Sequence, residues 1–159
     1  MSIPQVIRAA RPEEAPQLTD LALRSKAHWG YSKEFMDSCR AELTVDSARV
    51  LSERYQYFVA VDEDSIVGFY ALKCASGGSY ELEALFVEPG HIGTGIGRAL
   101  IQHAKRTLSG LGATRLIIQG DPHAADFYVA AGGRRIGDRE SDSIPGRHLP
   151  VFEIPIDPL

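Results

Sequence analysis

The chain has 159 residues, of which 44% are hydrophobic and 24% charged, and its formal net charge is −4. This length and composition predict a single globular domain over residues 1–159, and the acidic balance gives no general attraction to nucleic acid, so no nucleic-acid partner is expected. Because no basic segment followed by an apolar run opens the chain, and no stretch approaches the roughly 18 apolar residues that a bilayer requires, we expect a cytoplasmic protein without a membrane partner.

The first part of the chain predicts a strand, three helical pieces and a β-hairpin. In order, these are a strand at 6–9, helices at 12–26, 33–43 and 45–54, and hairpin strands at 57–61 and 66–72. We expect Thr44 to cap the third helix, because a threonine hydroxyl can accept a hydrogen bond from an early helical N–H. His28, Trp29 and Tyr31 occupy the connection between the first two helices.

The second part predicts a strand, a helix and a further strand that together form a parallel unit. These elements span 80–87, 95–109 and 115–119. Another helix starts at Asp121-Pro122 and stops at Gly132-Gly133, and strands at 134–139 and 149–154 close the chain. The loop at 141–148 is polar and longer than a hairpin requires, which is typical of functional loops.

The connection between the strand at 80–87 and the helix at 95–109 is rich in glycine. Gly93, Gly95 and Gly97 have no Cβ to keep a ligand away, so successive N–H groups can converge on phosphate oxygens at the positive end of a helix. Each glycine weakens a helix start by ~0.5–1 kcal/mol relative to alanine, so the pattern indicates more than a turn.

Two common phosphate-binding motifs do not match this segment. No Gly-Lys-Ser/Thr follows the glycines, which excludes a P-loop. The spacing is Gly-x-Gly-x-Gly, and five residues, 88–92, separate the strand from the first glycine, which argues against a dinucleotide-binding unit. The sequence therefore favours another phosphate-bearing cofactor.

Two motifs resemble those of the GNAT N-acetyltransferase superfamily. Val87-x-Pro89 followed by Gly93-Thr94-Gly95-Ile96-Gly97-Arg98-Ala99-Leu100 resembles its acetyl-CoA signature, and Ala124-x-x-Phe127-Tyr128-x-x-x-Gly132 resembles its second block. The resemblance covers nearly the whole chain. It implies the α/β (α+β) acyl-CoA N-acyltransferase fold, in which a mixed, mostly antiparallel central sheet is splayed at its middle and flanked by helices.

The resemblance also implies acetyl-CoA as cofactor, with CoA as product. The diphosphate would lie on the amides of 93–98, and the pantetheine arm would pair with the backbone of Leu85 and Val87 as an added strand does. The residues so assigned are Leu85, Phe86, Val87, Ile92, Gly93, Thr94, Gly95, Ile96, Gly97, Arg98, His123, Ala125, Phe127 and Tyr128. Ile92 and His123 depart from the usual family residues, which leaves a non-catalytic CoA-binding sensor as an alternative.

Amide formation from a thioester requires a neutral amine and benefits from protonation of the leaving thiolate. The resemblance assigns Tyr128 as the general acid. Glu81 and Glu83 lie two apart on the predicted central strand and would face the same side in the absence of a bulge. Either glutamate is a candidate for the base or for a water relay.

The resemblance places an acceptor pocket at His28, Trp29 and Tyr31. Ser143 and Arg147 would close its other wall, with Arg147 able to bind a carboxylate through two hydrogen bonds. We therefore expect direct attack by the primary amine of a small or amino-acid-like molecule. Acetylation of a protein or peptide is the alternative, and the acidic charge argues against aminoacyl-tRNA.

Two further expectations concern metals and assembly. The two cysteines show no Cys-x-x-Cys spacing, and no paired histidines accompany them, so no metal site is expected. A strand after Leu149 that lies exposed at the end of the sheet would need covering, which suggests a homodimer.

Overall fold

A computed structural model describes residues 6–158, which form one mixed sheet with helices on both faces. The strands are β1 Val6–Ala9, β2 Tyr55–Asp62, β3 Ser65–Cys74, β4 Ser79–Val87, β5 Arg115–Gln119, β6 Arg134–Glu140 and β7 His148–Pro155. The α-helices are α1 Ala15–Ala27, α2 Lys33–Leu43, α3 Ser47–Leu51, α4 Ile96–Gly110 and α5 Ala125–Ala130. Short 3-10 turns occupy Pro12–Glu14, Pro89–His91 and Pro122–Ala124.

The sheet has seven strands in the order β1-β2-β3-β4-β5-β7-β6. All neighbours are antiparallel except β4 and β5, which are parallel and pair only through residues 79–81 and 115–117. Past this short ladder the two strands separate and leave a gap in the middle of the sheet. The predicted mixed, mostly antiparallel and splayed sheet is confirmed.

Two apolar clusters hold the helices on the sheet. Helix α4 buries Leu100, Ile101 and Leu108 on one face, and α1 buries Leu18 and Leu21 on the other. The apolar positions of both helices recur with the spacing of a helical stripe, and burial of each large side chain contributes about 1.5–3 kcal/mol. The α4 cluster contains buried residues of β3 as well as of β5 and β7, so it packs against both halves of the sheet.

The helix predicted at 45–54 is wrong in its bounds and in its cap. The Thr19 hydroxyl accepts a hydrogen bond from the N–H of Val45 and donates one to its carbonyl oxygen, which holds residue 45 outside the helix and against α1. The side chain of Asp46 caps α3 instead, and Thr44 ends α2. Helix α3 is only Ser47–Leu51.

The prediction that the strand after Leu149 is exposed at the end of the sheet is also wrong. Strand β7 lies between β5 and β6, and β6 forms that edge with all of its residues exposed. A long polar loop, residues 141–147, joins β6 to β7. None of the helices between residues 6 and 158 combines the length and the apolar character that a membrane-spanning helix needs.

Candidate functional site

The gap between β4 and β5 opens into a cleft of about 750 Å³. Its walls come from β4, the glycine-rich loop, the connection from β5 to α5, the ends of α1 and α2, Arg49 of α3 and the β6–β7 loop. Most of the side chains that the sequence singled out meet here, although they are far apart in the chain. The short β4–β5 ladder thus creates the site.

The glycine-rich loop forms the wall at the start of α4. Gly93 and Gly95 have φ values of 86° and 94°, which are costly for residues with a Cβ, and a Cβ at either position would point into open space. Gly95 is the N-cap of α4 and has no side chain that could accept hydrogen bonds from the first turn. The N–H groups of that turn therefore keep their capacity to bind an anion. Gly97 differs, because a Cβ there would lie 3.2 Å from Phe127.

The other polar wall is the backbone of β4. The N–H of Glu88 bonds to the carbonyl oxygen of Val67, and hydrogen-bonded pairs alternate along an antiparallel ladder. The N–H and C=O groups of Val87 and Leu85 therefore point away from β3 and toward the gap. These are the groups that the sequence assigned to the pantetheine arm, and the exposed strand edge fits an extended amide chain.

The predicted cofactor residues fall into three groups. Those that line the cleft are Leu85, Phe86, Val87, Ile92, Gly93, Gly95, Gly97, Arg98, His123, Phe127 and Tyr128. Ile96 is fully buried in the core, and the Thr94 hydroxyl donates to the His91 carbonyl oxygen, so these two can offer only their backbone. Ala125 lies on α5 outside the lining. The residues present fit a diphosphate with an extended arm.

Tyr128 projects from α5 to the floor of the cleft. Its side chain is buried against Phe127 and Phe152, and a Cβ at Gly120 would lie 3.0 Å from its ring. Burial, with a smaller contribution from the charge of Asp121, raises the pKa of Tyr128 above its ordinary value of 10.0. The phenol therefore stays protonated at neutral pH and can donate a hydrogen bond.

The glutamates do not share one regular strand face, because a bulge intervenes. Ala84 pairs with Ala71 and Leu82 with Leu72, so Glu83 has no partner on β3. Glu81 contacts Arg139 of β6 at 3.2 Å, whereas Glu83 contacts Arg49 of α3 at 3.6 Å. The prediction that Glu81 and Glu83 face the same side required a strand without a bulge, and this requirement is not met. Both side chains nevertheless line the cleft.

The predicted acceptor residues have different environments. Trp29 lines the cleft and stacks on His123 with ring centroids 5.0 Å apart, whereas His28 is exposed and outside the lining. Ser143 donates a hydrogen bond to Glu42 at 2.7 Å. The side chain of Arg147 is only 19% exposed, because it is occupied by contacts within the protein.

Sequence reasoning missed Asp121, which is the polar centre of the cleft. Its carboxylate accepts hydrogen bonds from the Tyr31 hydroxyl at 2.8 Å and from the Lys26 ammonium at 3.1 Å. Burial opposes ionisation, but these bonds and the one from the His123 N–H outweigh it and lower the pKa of Asp121 to about 2. An aspartate before Pro122 looks like a helix cap in sequence, and it does accept the His123 N–H.

Comparison with known proteins gives concordant matches along the chain. A family model described as an acetyltransferase (GNAT) domain matches residues 14–144. The peptidyl-lysine N-acetyltransferase YjaB of Salmonella typhimurium strain LT2 is 30% identical over 149 residues, which are 93% of this chain and 95% of that protein. YjaB of Escherichia coli strain K12 is 31% identical over 151 residues, with 93% and 94% covered.

Solved structures match in fold. The PaiA N-acetyltransferase of Thermoplasma acidophilum, solved in complex with coenzyme A, superposes with a TM-score of 0.77 at 21% identity. The match covers 98% of this chain and 99% of that one. At this identity the likeness concerns the arrangement of strands and helices alone.

Proposed function

Since the chain belongs to the GNAT acetyltransferase family and is an acetyl-CoA-dependent N-acetyltransferase, we propose that its acceptor is a lysine side chain in a peptide or protein. The family resemblance expected from the two sequence motifs is confirmed, and so is acetyl-CoA as the cofactor. The proposal about the acceptor is supported by the two YjaB proteins, which are named peptidyl-lysine N-acetyltransferases and align with 93% of this chain.

The contacts of Arg147 within the protein are the observation on which we base the choice of acceptor. An amino-acid-like substrate needs a cation for its carboxylate, and Arg147 was the predicted partner. Its guanidinium donates instead to the Tyr31 oxygen at 2.8 Å and lies 4.8 Å from the Phe35 ring centroid. An internal lysine presents an ammonium without a neighbouring free carboxylate, so it does not require this arginine.

The groups of the cleft suit the two proton transfers of amide formation. Acetyl-CoA, when bound, supplies a thioester carbonyl for attack by a neutral amine. As the C–S bond breaks, the sulfur leaves as a thiol with the phenolic proton of Tyr128, which burial keeps protonated until that step. A carboxylate of β4 takes the proton that the ammonium must lose, directly or through water.

Of the two candidates we assign that step to Glu83. Glu81 pairs with Ile117 of β5 and therefore lies at the closed end of the gap. Glu83 is the bulged residue just beyond the last pair, where the gap opens and two residues before Leu85. Bulges of this kind redirect a side chain next to a site, which supports Glu83 as the proton acceptor and Glu81 as a neighbouring charge.

A small diamine is the second candidate acceptor. Besides Asp121, four carboxylates line the cleft: Glu42, Glu81, Glu83 and Asp142. One of them can pair with a second ammonium while another accepts the proton of the first. This arrangement keeps the predicted small-molecule amine as an alternative to the lysine peptide.

The test is thiol release from acetyl-CoA with matched acceptors. One peptide carries an internal lysine, its control carries Nε-acetyl-lysine at the same position, and the small amines are diamines and amino acids. We expect release that depends on the free lysine, with the acetyl group located on that residue by mass spectrometry. Release only with diamines would replace the peptide proposal, and CoA binding without release from any amine would contradict both.

A further inference from the structure

The carboxylate of Asp121 joins parts of the chain that belong to opposite halves of the splayed sheet. Asp121 follows β5, on the half formed by β5, β7 and β6. Lys26 and Tyr31, which bind its oxygens, belong to α1 and the α1–α2 connection. Helix α1 packs on β4 and its neighbours, so these contacts cross the open end of the gap.

Arg147 brings the β6–β7 loop into the same cluster. Its guanidinium donates to the Tyr31 oxygen and lies 3.7 Å from the Asp121 carboxylate. The rings of Tyr31 and Phe35 stack at 4.1 Å, and the cations of Lys26 and Arg147 both lie over them. Asp121 is the anion between two cations, so its removal leaves like charges facing one another.

A second contact fastens the same loop to α2. The Ser143 hydroxyl bonds to Glu42 and lies 3.6 Å from the buried Cys39 sulfur. This contact does not involve β5. In the Asp121 cluster, one carboxylate that follows β5 contacts both the α1–α2 connection, through Tyr31, and the β6–β7 loop, through Arg147.

We propose that Asp121 is a positioning residue that locks the two halves of the splayed sheet across the open end of the cleft. The β4 edge on one half holds acetyl-CoA, and the β6–β7 loop on the other half faces the acceptor. The lock fixes the distance between the β4 edge and the β6–β7 loop, and thereby the width of the opening through which the acceptor enters. The consequence for the acceptor rests on the proposed function, whereas the lock itself does not.

Amide hydrogen exchange tests the lock without any acceptor. Asp121→Asn keeps the size of the side chain and removes its charge. Because hydrogen bonds to a charged group are stronger than those to a neutral one, we expect exchange in residues 28–35 and 141–148 to accelerate about 10-fold or more. Exchange within threefold of wild type in both segments would overturn the proposal.

Glu153 provides the matched control. Its carboxylate is 17% exposed, close to the 16% of Asp121, and it contacts Arg115 and Arg134 within one half of the sheet. Glu153→Gln should leave exchange in the two segments unchanged, and an equal acceleration there would overturn the proposal. If Asp121→Asn fails to fold, Tyr31→Phe removes the hydroxyl between Asp121 and Arg147 and should accelerate the same segments about threefold or more.

Kinetics with the lysine peptide separate positioning from a merely structural effect. Asp121→Asn should raise the peptide KM about 10-fold, while kcat and the CoA Kd each change less than about threefold. A peptide KM equal to that of wild type would overturn the positioning role. If wild type acetylates no peptide, the proposed acceptor fails, and the exchange experiment still decides the lock.

Discussion

The two walls of the cleft differ in the chemical groups that they present. The wall to which we assign acetyl-CoA is mostly backbone: the positive-φ glycines, the start of α4 and the open edge of β4. The wall to which we assign the acceptor is a network of paired side chains, including Asp121 with Tyr31 and Ser143 with Glu42. Backbone sites depend on local sequence, whereas paired side chains depend on the fold that brings them together.

We propose that this difference separates a wall that binds the cofactor from a wall that selects the acceptor. Backbone amides bind a phosphate whatever the neighbouring side chains are, so a few glycines suffice. Charged pairs across the cleft can change partner with a single substitution. The predictions below each change one wall, or the residue between them.

Tyr128 lies where the two walls meet, so its loss has the largest expected effect. Tyr128→Phe removes the hydrogen bond to the leaving sulfur and should lower kcat about 100-fold, with the CoA Kd unchanged. Tyr70→Phe is the control, because Tyr70 is also buried but bonds to His103 away from the cleft. Unchanged kcat in Tyr128→Phe would contradict the assignment of the acid.

Gly95→Ala tests the backbone wall. A Cβ at positive φ costs roughly 1–2 kcal/mol and displaces the N–H groups at the start of α4, so the CoA Kd, measured by calorimetry, should rise about 10- to 30-fold. Gly112, between α4 and β5, has a φ of 75° and equally open surroundings. Gly112→Ala should lower Tm about as much as Gly95→Ala does, without changing the CoA Kd. An equal loss of CoA affinity in Gly112→Ala would contradict a special role of Gly95.

The backbone wall is also the part that the sequence could predict. The bounds of β4 and α4 and the glycine-rich loop follow from local spacing, and the open pairing of Leu85 and Val87 is implied by the family resemblance. The bulge at Glu83 and the cluster around Asp121 do not, because each depends on a partner far along the chain, such as Ala71 for the bulge and Tyr31 for the cluster. The misplaced helix at 45–54 has the same cause, since Thr19 holds Val45 from α1.

Glu83→Gln and Glu81→Gln distinguish the two carboxylates of the acceptor wall. We expect Glu83→Gln to lower kcat about 10-fold or more at neutral pH and less at alkaline pH, where the amine is already neutral. Glu81→Gln should change kcat less than threefold, because Glu81 lies at the closed end of the gap. The reverse order in the kcat measurements would move the proton transfer to Glu81.

The pH dependence of stability sharpens the account of Asp121 and is the smallest effect. Its pKa is lowered from 3.8 to about 2, so its contribution is complete above pH 3.8 and is lost as pH falls toward 2. Allowing for remaining solvent contact, that contribution is on the order of 1 kcal/mol, or about 2–4 °C in Tm. The Tm difference between wild type and Asp121→Asn should therefore be equal at pH 7 and pH 5. A difference that shrinks at pH 5 would contradict a lowered pKa.

The most direct test of two separable walls is a double-mutant measurement with Gly95→Ala and Asp121→Asn. The CoA Kd and the peptide KM are measured for wild type, both single variants and the double variant. We predict that Gly95→Ala raises only the CoA Kd, that Asp121→Asn raises only the peptide KM, and that the double variant shows both changes at their single-variant size. A single variant that raises both constants, or a double variant that departs strongly from additivity, would contradict the account.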